Sequence, residues 1–131
     1  MSVHPYLHFP GNCAEALAFY EKALGAAVTF SLTAGDAPMP CTPGWEDKFV
    51  HTSFTILGAP LHACDVPPGQ YNKPAGFRVT IDLSDPDTAQ SWFEALTVGG
   101  TIDMPLQKTF WASAFGMVTD RFGIPWMINC A

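Results

Sequence analysis

Four histidines, four cysteines and one arginine, Arg78, carry most of the chemistry open to this chain of 131 residues. His62 and Cys64 stand two apart, and on an extended strand that spacing points both side chains the same way, the minimum for a Cys–His nucleophilic pair. Nothing in the sequence supplies a group to orient the pair or an oxyanion hole, so nucleophilic catalysis is not the expected role. His4, Tyr6 and His8 alternate with Pro5, Leu7 and Phe9, so three polar rings share one strand face while the apolar residues share the other. His8 and His51 read as isolated, hydrogen-bonded strand histidines. Arg78 alternates with Thr80 and Asp82 on a polar face. An unpaired guanidinium there is costly, and Asp82 lies about 13 Å away along an extended strand. An anionic ligand, a carboxylate from elsewhere or solvent must therefore complete its pairing. Cys13, Cys41, Cys64 and Cys130 show no CxxC spacing and match no zinc-finger pattern, so they read as reduced, mostly buried thiols.

Composition narrows the partners. Charged residues make up 14% of the chain, against about 25% in an average soluble protein, so a partner subunit is expected to cover part of the surface, most simply in a homodimer. The formal net charge is −6, with only 6 Lys plus Arg. That balance provides no electrostatic footprint for phosphates, so neither nucleic acid nor an anionic membrane surface is expected as a partner. The opening Met-Ser-Val-His-Pro-Tyr has no basic segment followed by an apolar one, and no apolar run reaches the ~18 residues of a membrane span. A cytoplasmic protein is the expectation.

The elements that must position these residues follow in a repeated order. Val3 to Phe9 reads as a strand. Asn12 with Glu15 three residues later reads as an N-cap and capping box, Leu17, Tyr20 and Leu24 keep helical spacing, and Gly25 supplies a left-handed stop. Val28 to Leu32 is a strand, 33 to 47 a Pro- and Gly-bearing loop, Phe49 to Leu57 a strand, Gly58-Ala59 a turn and Pro60 to Cys64 a strand. A second loop, Asp65 to Ala75, carries Pro67-Pro68-Gly69. The order then begins again. Phe77 to Leu83 is a strand, with Phe77, Val79, Ile81 and Leu83 as its apolar face. Ser84 or Asp85 caps a helix with Pro86 near its first position and Trp92, Phe93 and Leu96 on its apolar side; Gly99-Gly100 ends it. Thr101 to Met104, Phe115 to Thr119 and Ile124 to Asn129 are strands, with Asp120 to Gly123 as the last hairpin turn. Trp126 falls on the core side by parity, whereas Trp45 and Trp111 lie in or beside loops, where large apolar side chains mark a ligand wall or an interface.

Two local matches tie the halves together. Phe19-Tyr20-Glu21 corresponds to Trp92-Phe93-Glu94, and Gly58-Ala59-Pro60 corresponds to Gly123-Ile124-Pro125, each at the same place in the element order. A duplicated βαβββ unit accounts for both. A single domain, 1–131, made of two repeats at about 1–65 and 76–131, is expected. Each copy has one amphipathic helix and one mixed sheet face; pairing the copies lets the helices cover the outer side, and the inner faces are expected to curve around a concave cleft that holds a ligand.

The residues Pro5-Tyr6-Leu7-His8-Phe9, Gly11-Asn12-Cys13-Ala14-Glu15-Ala16-Leu17, Phe19-Tyr20, Leu24-Gly25, Thr109-Phe110-Trp111 and Val118 to Asn129 resemble the vicinal oxygen chelate superfamily of glyoxalase, bleomycin-resistance and extradiol dioxygenase relatives, and within it the PhnB-like branch. The resemblance covers essentially the whole chain. It implies an α+β, glyoxalase-like fold in which two βαβββ modules form a curved mixed sheet with the helices on its outer side. Metal-dependent relatives take ligands from the first and last strands of each copy. Matching Leu7 to Ile81 places His4, His62, Arg78 (or Phe77 under a one-residue shift) and Met127 at those positions. Two imidazoles could hold a divalent metal, yet Arg brings a fixed positive charge, Phe has no lone pair, Met is a weak ligand for hard ions, and the carboxylate usual at the last position is missing from 124–131. No cofactor is therefore expected. The implied function is binding of a small, possibly anionic, molecule over His4, Tyr6, His8, His62, Cys64, Arg78, Trp111 and Met127. The alternatives are a metal-dependent lyase or dioxygenase using His4 and His62, or a drug-binding resistance-type protein with aromatic walls. Some relatives bear a demethylubiquinone methyltransferase name, but the chain has no glycine-rich strand-to-helix turn of the kind nucleotide-type cofactors favour.

Overall fold

The computed structural model describes residues 1–131, which divide into two compact units, Met1–Asn72 and Lys73–Ala131. Each unit is one βαβββ motif. In the first, β1 (Tyr6–Phe9), α1 (Cys13–Leu24), β2 (Ala27–Thr33), β3 (Phe49–Ile56) and β4 (Ala59–Asp65) give a sheet of order β1-β4-β3-β2. β1 runs parallel to β4, and the other pairings are antiparallel. Strand alternation sorts the side chains as expected: Leu7, Phe9, Phe54, Ile56 and Leu61 are buried beneath α1, whose Tyr20 ring stacks on Phe54 at 6.2 Å between centroids. Tyr6 and His8 on the other face are exposed. Burying one apolar face of a sheet against one helix is the packing that each motif allows.

The second unit repeats the order: β5 (Val79–Leu83), α2 (Pro86–Thr97), β6 (Thr101–Gln107), β7 (Ala114–Thr119) and β8 (Pro125–Cys130) form a sheet of order β5-β8-β7-β6. The duplication holds at the level of register. Tyr6 pairs with His62 across the parallel ladder of the first unit, and Thr80 pairs with Met127 at the same place in the second. Trp126, Ile128 and Cys130 are fully buried, so the parity assigned to β8 is correct. Gly116 is required by this packing: a Cβ there would stand 2.8 Å from Phe93 Cε2 and 3.0 Å from Leu106 Cα, so α2 sits closer to β7 than a side chain permits.

Several boundaries differ from expectation. β1 starts at Tyr6 and β5 at Val79, where the parallel registers begin with Tyr6 opposite His62 and Val79 opposite Trp126. Phe77 is accordingly outside the strand and 53% exposed, not part of the apolar face. β6 continues to Gln107 through Pro105, which an edge strand tolerates because its outward N–H needs no partner. The turn between β3 and β4 is Leu57-Gly58, with positive φ at both residues; Ala59 already pairs with Ile56. Asp85, not Ser84, caps α2: its carboxylate accepts from the N–H groups of Asp87 and Thr88. The Asn12 side chain makes no cap hydrogen bond, although its carbonyl accepts from Ala16 N–H at 3.1 Å. Its place is taken by Asp65, whose Oδ1 accepts from Cys13 N–H at 2.9 Å while Oδ2 accepts from Phe49 N–H at 2.9 Å.

Candidate functional site

In the first unit the solvent side of the sheet gathers every histidine of the chain. Tyr6 and His8 come from β1, His51 and Ser53 from β3, His62 and Cys64 from β4, and His4 from the segment before β1. The two histidines read as isolated are not isolated. Tyr6 and His8 meet edge to face at 5.5 Å between centroids, and His51 lies 5.2 Å from His62. His51 was missed as a site residue because its place depends on the β3–β4 register, which sets Ser53 opposite His62 and cannot be read from β3 alone.

A hydrogen-bonded chain crosses these three strands. The Tyr6 hydroxyl meets His51 Nδ1 at 3.0 Å, His51 Nε2 meets Ser53 Oγ at 3.3 Å, and Ser53 Oγ meets His62 Nδ1 at 3.0 Å. Ser53 has one hydroxyl proton, so it donates to one imidazole and accepts from the other. The chain therefore runs in one of two senses. If Tyr6 donates to His51, the outer Nε2 of His62 carries a proton and is a donor; in the opposite sense that nitrogen is an acceptor. His4 stands edge-on to His62 at 5.0 Å, with its Nε2 at 2.7 Å from Ser2 Oγ. Burial, then a hydrogen bond with the Cys64 thiol, pushes the Tyr6 phenol up to about 12, so it stays protonated and can always donate.

Cys64 does share a face with His62, but the thiol is buried and its polar neighbour is Tyr6. Burial raises its pKa, against a smaller lowering by Tyr6, which disfavours the thiolate a nucleophile requires. The Cys–His nucleophilic pair is thus unsupported. Cys13 is more extreme: burial first, then the Asp65 carboxylate, push it up from 9.0 to about 12. Native protein treated with iodoacetamide at mildly alkaline pH is expected to be modified at Cys41 and spared at Cys13 and Cys64, as peptide mapping would show. A folded-state pKa above the unfolded one means that the folded chain keeps a proton the unfolded chain has lost. Stability is then intact below pH 9 and falls as pH climbs from there toward 12, which urea midpoints on either side of pH 9 will reveal.

The second unit places different chemistry on the equivalent face. Arg78 precedes β5 and Asp103 lies on β6, the two edges of the sheet, yet their side chains meet at 3.0 Å. Arg78 Nη1 also donates to the Trp126 carbonyl at 3.3 Å, and the Thr119 hydroxyl donates to Asp103 Oδ2 at 2.7 Å. The Thr119 hydrogen bond first, then the guanidinium, hold the Asp103 carboxyl below its usual value. Asp103 is the carboxylate that sequence reading could not find for Arg78. Thr80 Oγ1 approaches Met127 Sδ at 3.6 Å, and Asp82 accepts from Asn129 Nδ2 at 3.1 Å. Around Arg78 a concavity of about 570 Å³ is lined by residues of this unit alone, including Phe77, Thr80, Asp103 and Met127. Trp111 is not brought there: it stacks edge to face with Phe110 and Phe115 and is 52% exposed. Trp126 is core, as expected.

No three His, Cys, Asp or Glu side chains converge in a way that could hold a metal ion. No helix is long and apolar enough to cross a membrane.

Comparison with known proteins identifies the fold's relatives. The sequence pattern of the Glyoxalase/Bleomycin resistance protein/Dioxygenase superfamily matches residues 2–128. Protein YjdN of Escherichia coli is 35% identical over 139 residues, covering 98% of this chain and 95% of that protein. The crystal structure of protein PA1353 from Pseudomonas aeruginosa superposes with a TM-score of 0.90 at 40% identity, over 99% of this chain and 97% of the other. The Bacillus cereus PhnB protein, whose name offers it as a 3-demethylubiquinone-9 3-methyltransferase, superposes with a TM-score of 0.83 at 24% identity, over 100% of both chains, and shares the fold alone. The duplicated βαβββ registers and the match along nearly the full length lead to one assignment: this chain belongs to the glyoxalase/bleomycin resistance/dioxygenase superfamily.

Proposed function

We propose that this chain binds a small organic molecule on the open sheet faces of its βαβββ units, without a resident catalytic metal and as a homodimer. The observation that carries the reading is the Tyr6–His51–Ser53–His62 chain of hydrogen bonds on the solvent side of its sheet. A network that served only stability would be expected in the interior, where water cannot compete for its groups. Here it ends in His62, whose outer Nε2 has no hydrogen-bond partner and can meet a polar guest, with the His4 ring edge-on beside it at 5.0 Å. His8 and Cys64 flank it, and Arg78 and Met127 offer a second, charged and polarisable surface on the equivalent face of the other unit.

The donor set argues against the metal chemistry of some superfamily members. At the register positions equivalent to His4 and His62 the second unit has Arg78 and Met127. The first would set a fixed cation where a metal cation would sit, and the second is a weak ligand for hard ions. One ring nitrogen of His4 and one of His62 already bond to the hydroxyls of Ser2 and Ser53, and both nitrogens of His51 to Tyr6 and Ser53, which leaves at most two imidazole nitrogens of these rings, fewer than the three protein ligands of an open catalytic site. These residues do not fit a catalytic divalent metal. The homodimer is supported by the low charge content and by large apolar side chains at the surface, including Phe30, Ile102 and Phe110.

Protein purified without chelator is expected to contain less than about a tenth of an equivalent of Ni, Zn, Fe or Mn, because a site with fewer than three protein ligands binds weakly. One equivalent of any of them would restore the metal-dependent lyase or dioxygenase reading. Screening a fragment library by ¹H–¹⁵N shift perturbation is expected to move Tyr6, His51 and His62 together, and to lose that response in Ser53→Ala. Hits that leave these three unmoved would remove the binding reading, and binding with no turnover would favour the drug-sequestering alternative.

A further inference from the structure

The Arg78–Asp103 pair limits what the second unit's face can accept. The guanidinium at the β5 edge and the carboxylate at the β6 edge reach across the open face and meet at 3.0 Å. They form one wall of a concavity of about 570 Å³ whose other walls include Phe77, Pro125 and Met127. That volume falls within the range of about 300–1,000 Å³ typical of small-molecule sites. Neither member of the pair is sealed away: their side chains are 26% and 29% exposed, and an exposed ion pair of this kind contributes little to stability. Its position over a lined hollow, spanning both sheet edges, is thus better explained by recognition than by folding.

Charge decides the class of guest. A bare carboxylate or phosphate approaching Arg78 would also meet Asp103 directly beside the guanidinium, so attraction and repulsion largely cancel. Lys73 acts on Asp103 as well, though more weakly than Arg78. Displacing Asp103 would leave a carboxylate without its cation. Arg78 has five N–H donors, of which the bonds to Asp103 and to the Trp126 carbonyl occupy two. Asp103 Oδ2 takes both of its bonds, from Arg78 and Thr119, so Oδ1 is the oxygen left for a guest. The free valences are therefore one acceptor beside several donors.

We propose that this hollow takes a molecule with a paired donor–acceptor head group, as in a carboxamide or an α-amino acid, and an apolar body, in preference to a simple anion. The acceptor oxygen of the head group meets Arg78, its N–H meets Asp103 Oδ1, and the body lies against Phe77, Pro125 and Met127. This inference rests on the reading of the sheet faces as ligand-binding and specifies the head group that one of them selects.

A matched pair of probes tests it on the full chain. Benzamide and benzoate share a ring and differ in the head group. Benzamide is expected to shift the amide signals of Arg78, Thr80, Thr119 and Met127 and to bind at least about threefold tighter than benzoate, with inorganic phosphate binding no better. Asp103→Asn removes the opposing charge and is expected to reverse the order, with benzoate gaining about tenfold. Thr119→Ala, which removes a neighbouring hydrogen bond but keeps the Asp103 charge, is expected to leave benzamide ahead; benzoate overtaking in this variant too would overturn the assignment of the preference to that charge. Benzoate binding as tightly as benzamide to the unmodified protein would overturn the head-group inference while leaving the binding reading intact. Failure of every probe at these residues, in the unmodified chain and in Asp103→Asn alike, would overturn both for this face.

Discussion

Replacing Asp120 with Ala is expected to cost about 3–5 kcal/mol of folding stability, read as a lowered urea midpoint. Asp120 is 3% exposed, and its carboxylate accepts from Phe122 N–H at 2.8 Å, from Ile124 N–H at 3.0 Å and from the Trp126 indole N–H at 2.8 Å. It thereby closes the β7–β8 turn and anchors the largest fully buried side chain of the unit. Removing it leaves three buried donors together, each costing about 1–3 kcal/mol if unpaired, with water in the vacated space offsetting part of the loss. Asp120→Asn can keep its oxygen on the Phe122 and Ile124 N–H groups but then turns an NH₂ toward the Trp126 indole N–H, so about half the loss is expected. Trp126→Phe combined with Asp120→Ala should cost less than the two separate losses added, because both remove one shared bond. A loss below about 1 kcal/mol for Asp120→Ala would mean that the turn is held by its backbone bonds, Asp120 N–H to Ile124 O and Gly123 N–H to Asp120 O, and not by the carboxylate.

What could be read from the amino acids, and what could not, divides along one line. Strand parity is local, so alternation correctly sorts Leu7 and Phe9 from Tyr6 and His8, and Trp126 from Met127. The equivalence of the halves was also legible, because Gly58 and Gly123 mark the same turn and the ladders then follow. Pairing between distant strands was not. Arg78 finds Asp103 only because the β5 and β6 edges approach over the face, and no spacing between residues 78 and 103 encodes that. His51 joins His62 through the register at Ser53, which a polar, half-exposed strand specifies weakly in sequence. Phe77 looked like core because alternation continued past the end of the ladder.

The two copies have kept the scaffold and changed the chemistry. Tyr6 and His62 in one unit correspond to Thr80 and Met127 in the other. One face holds aromatic rings joined through hydroxyls, whereas the other holds an ion pair over a hollow of mixed polar and apolar lining. The buried sides diverged less in character, because each must fill the space under a twelve-residue helix. Divergence on the open faces costs little packing, so that is where a duplicated motif is free to specialise.

The same separation between local and distant signals governs the start of α1. Asp65→Ala is expected to destabilise the chain by about 2–4 kcal/mol, whereas Asn12→Ala is expected to change stability by less than about 0.5 kcal/mol. The sequence suggests the reverse, since Asn at the N-cap position with Glu three residues on is a strong cap signal. In the structure the Asn12 side chain makes no cap bond, and its buried Oδ1 has no partner, so deleting it removes a desolvated polar group along with a side chain that contributes no hydrogen bond to the helix. Asp65, at the end of β4, holds Cys13 N–H with one oxygen and Phe49 N–H with the other. Both are bonds from neutral donors to a charged acceptor, about 1.5–3 kcal/mol each before any rearrangement. Its loss unties the first turn of α1 and the start of β3 together. The charge also sits at the positive end of the helix dipole, which Asp65→Asn would forfeit while retaining an acceptor for one of the two donors, so an intermediate loss is expected for that variant. Urea midpoints for the three variants check the order, and a larger loss for Asn12→Ala than for Asp65→Ala would show that α1 is capped from its own sequence after all.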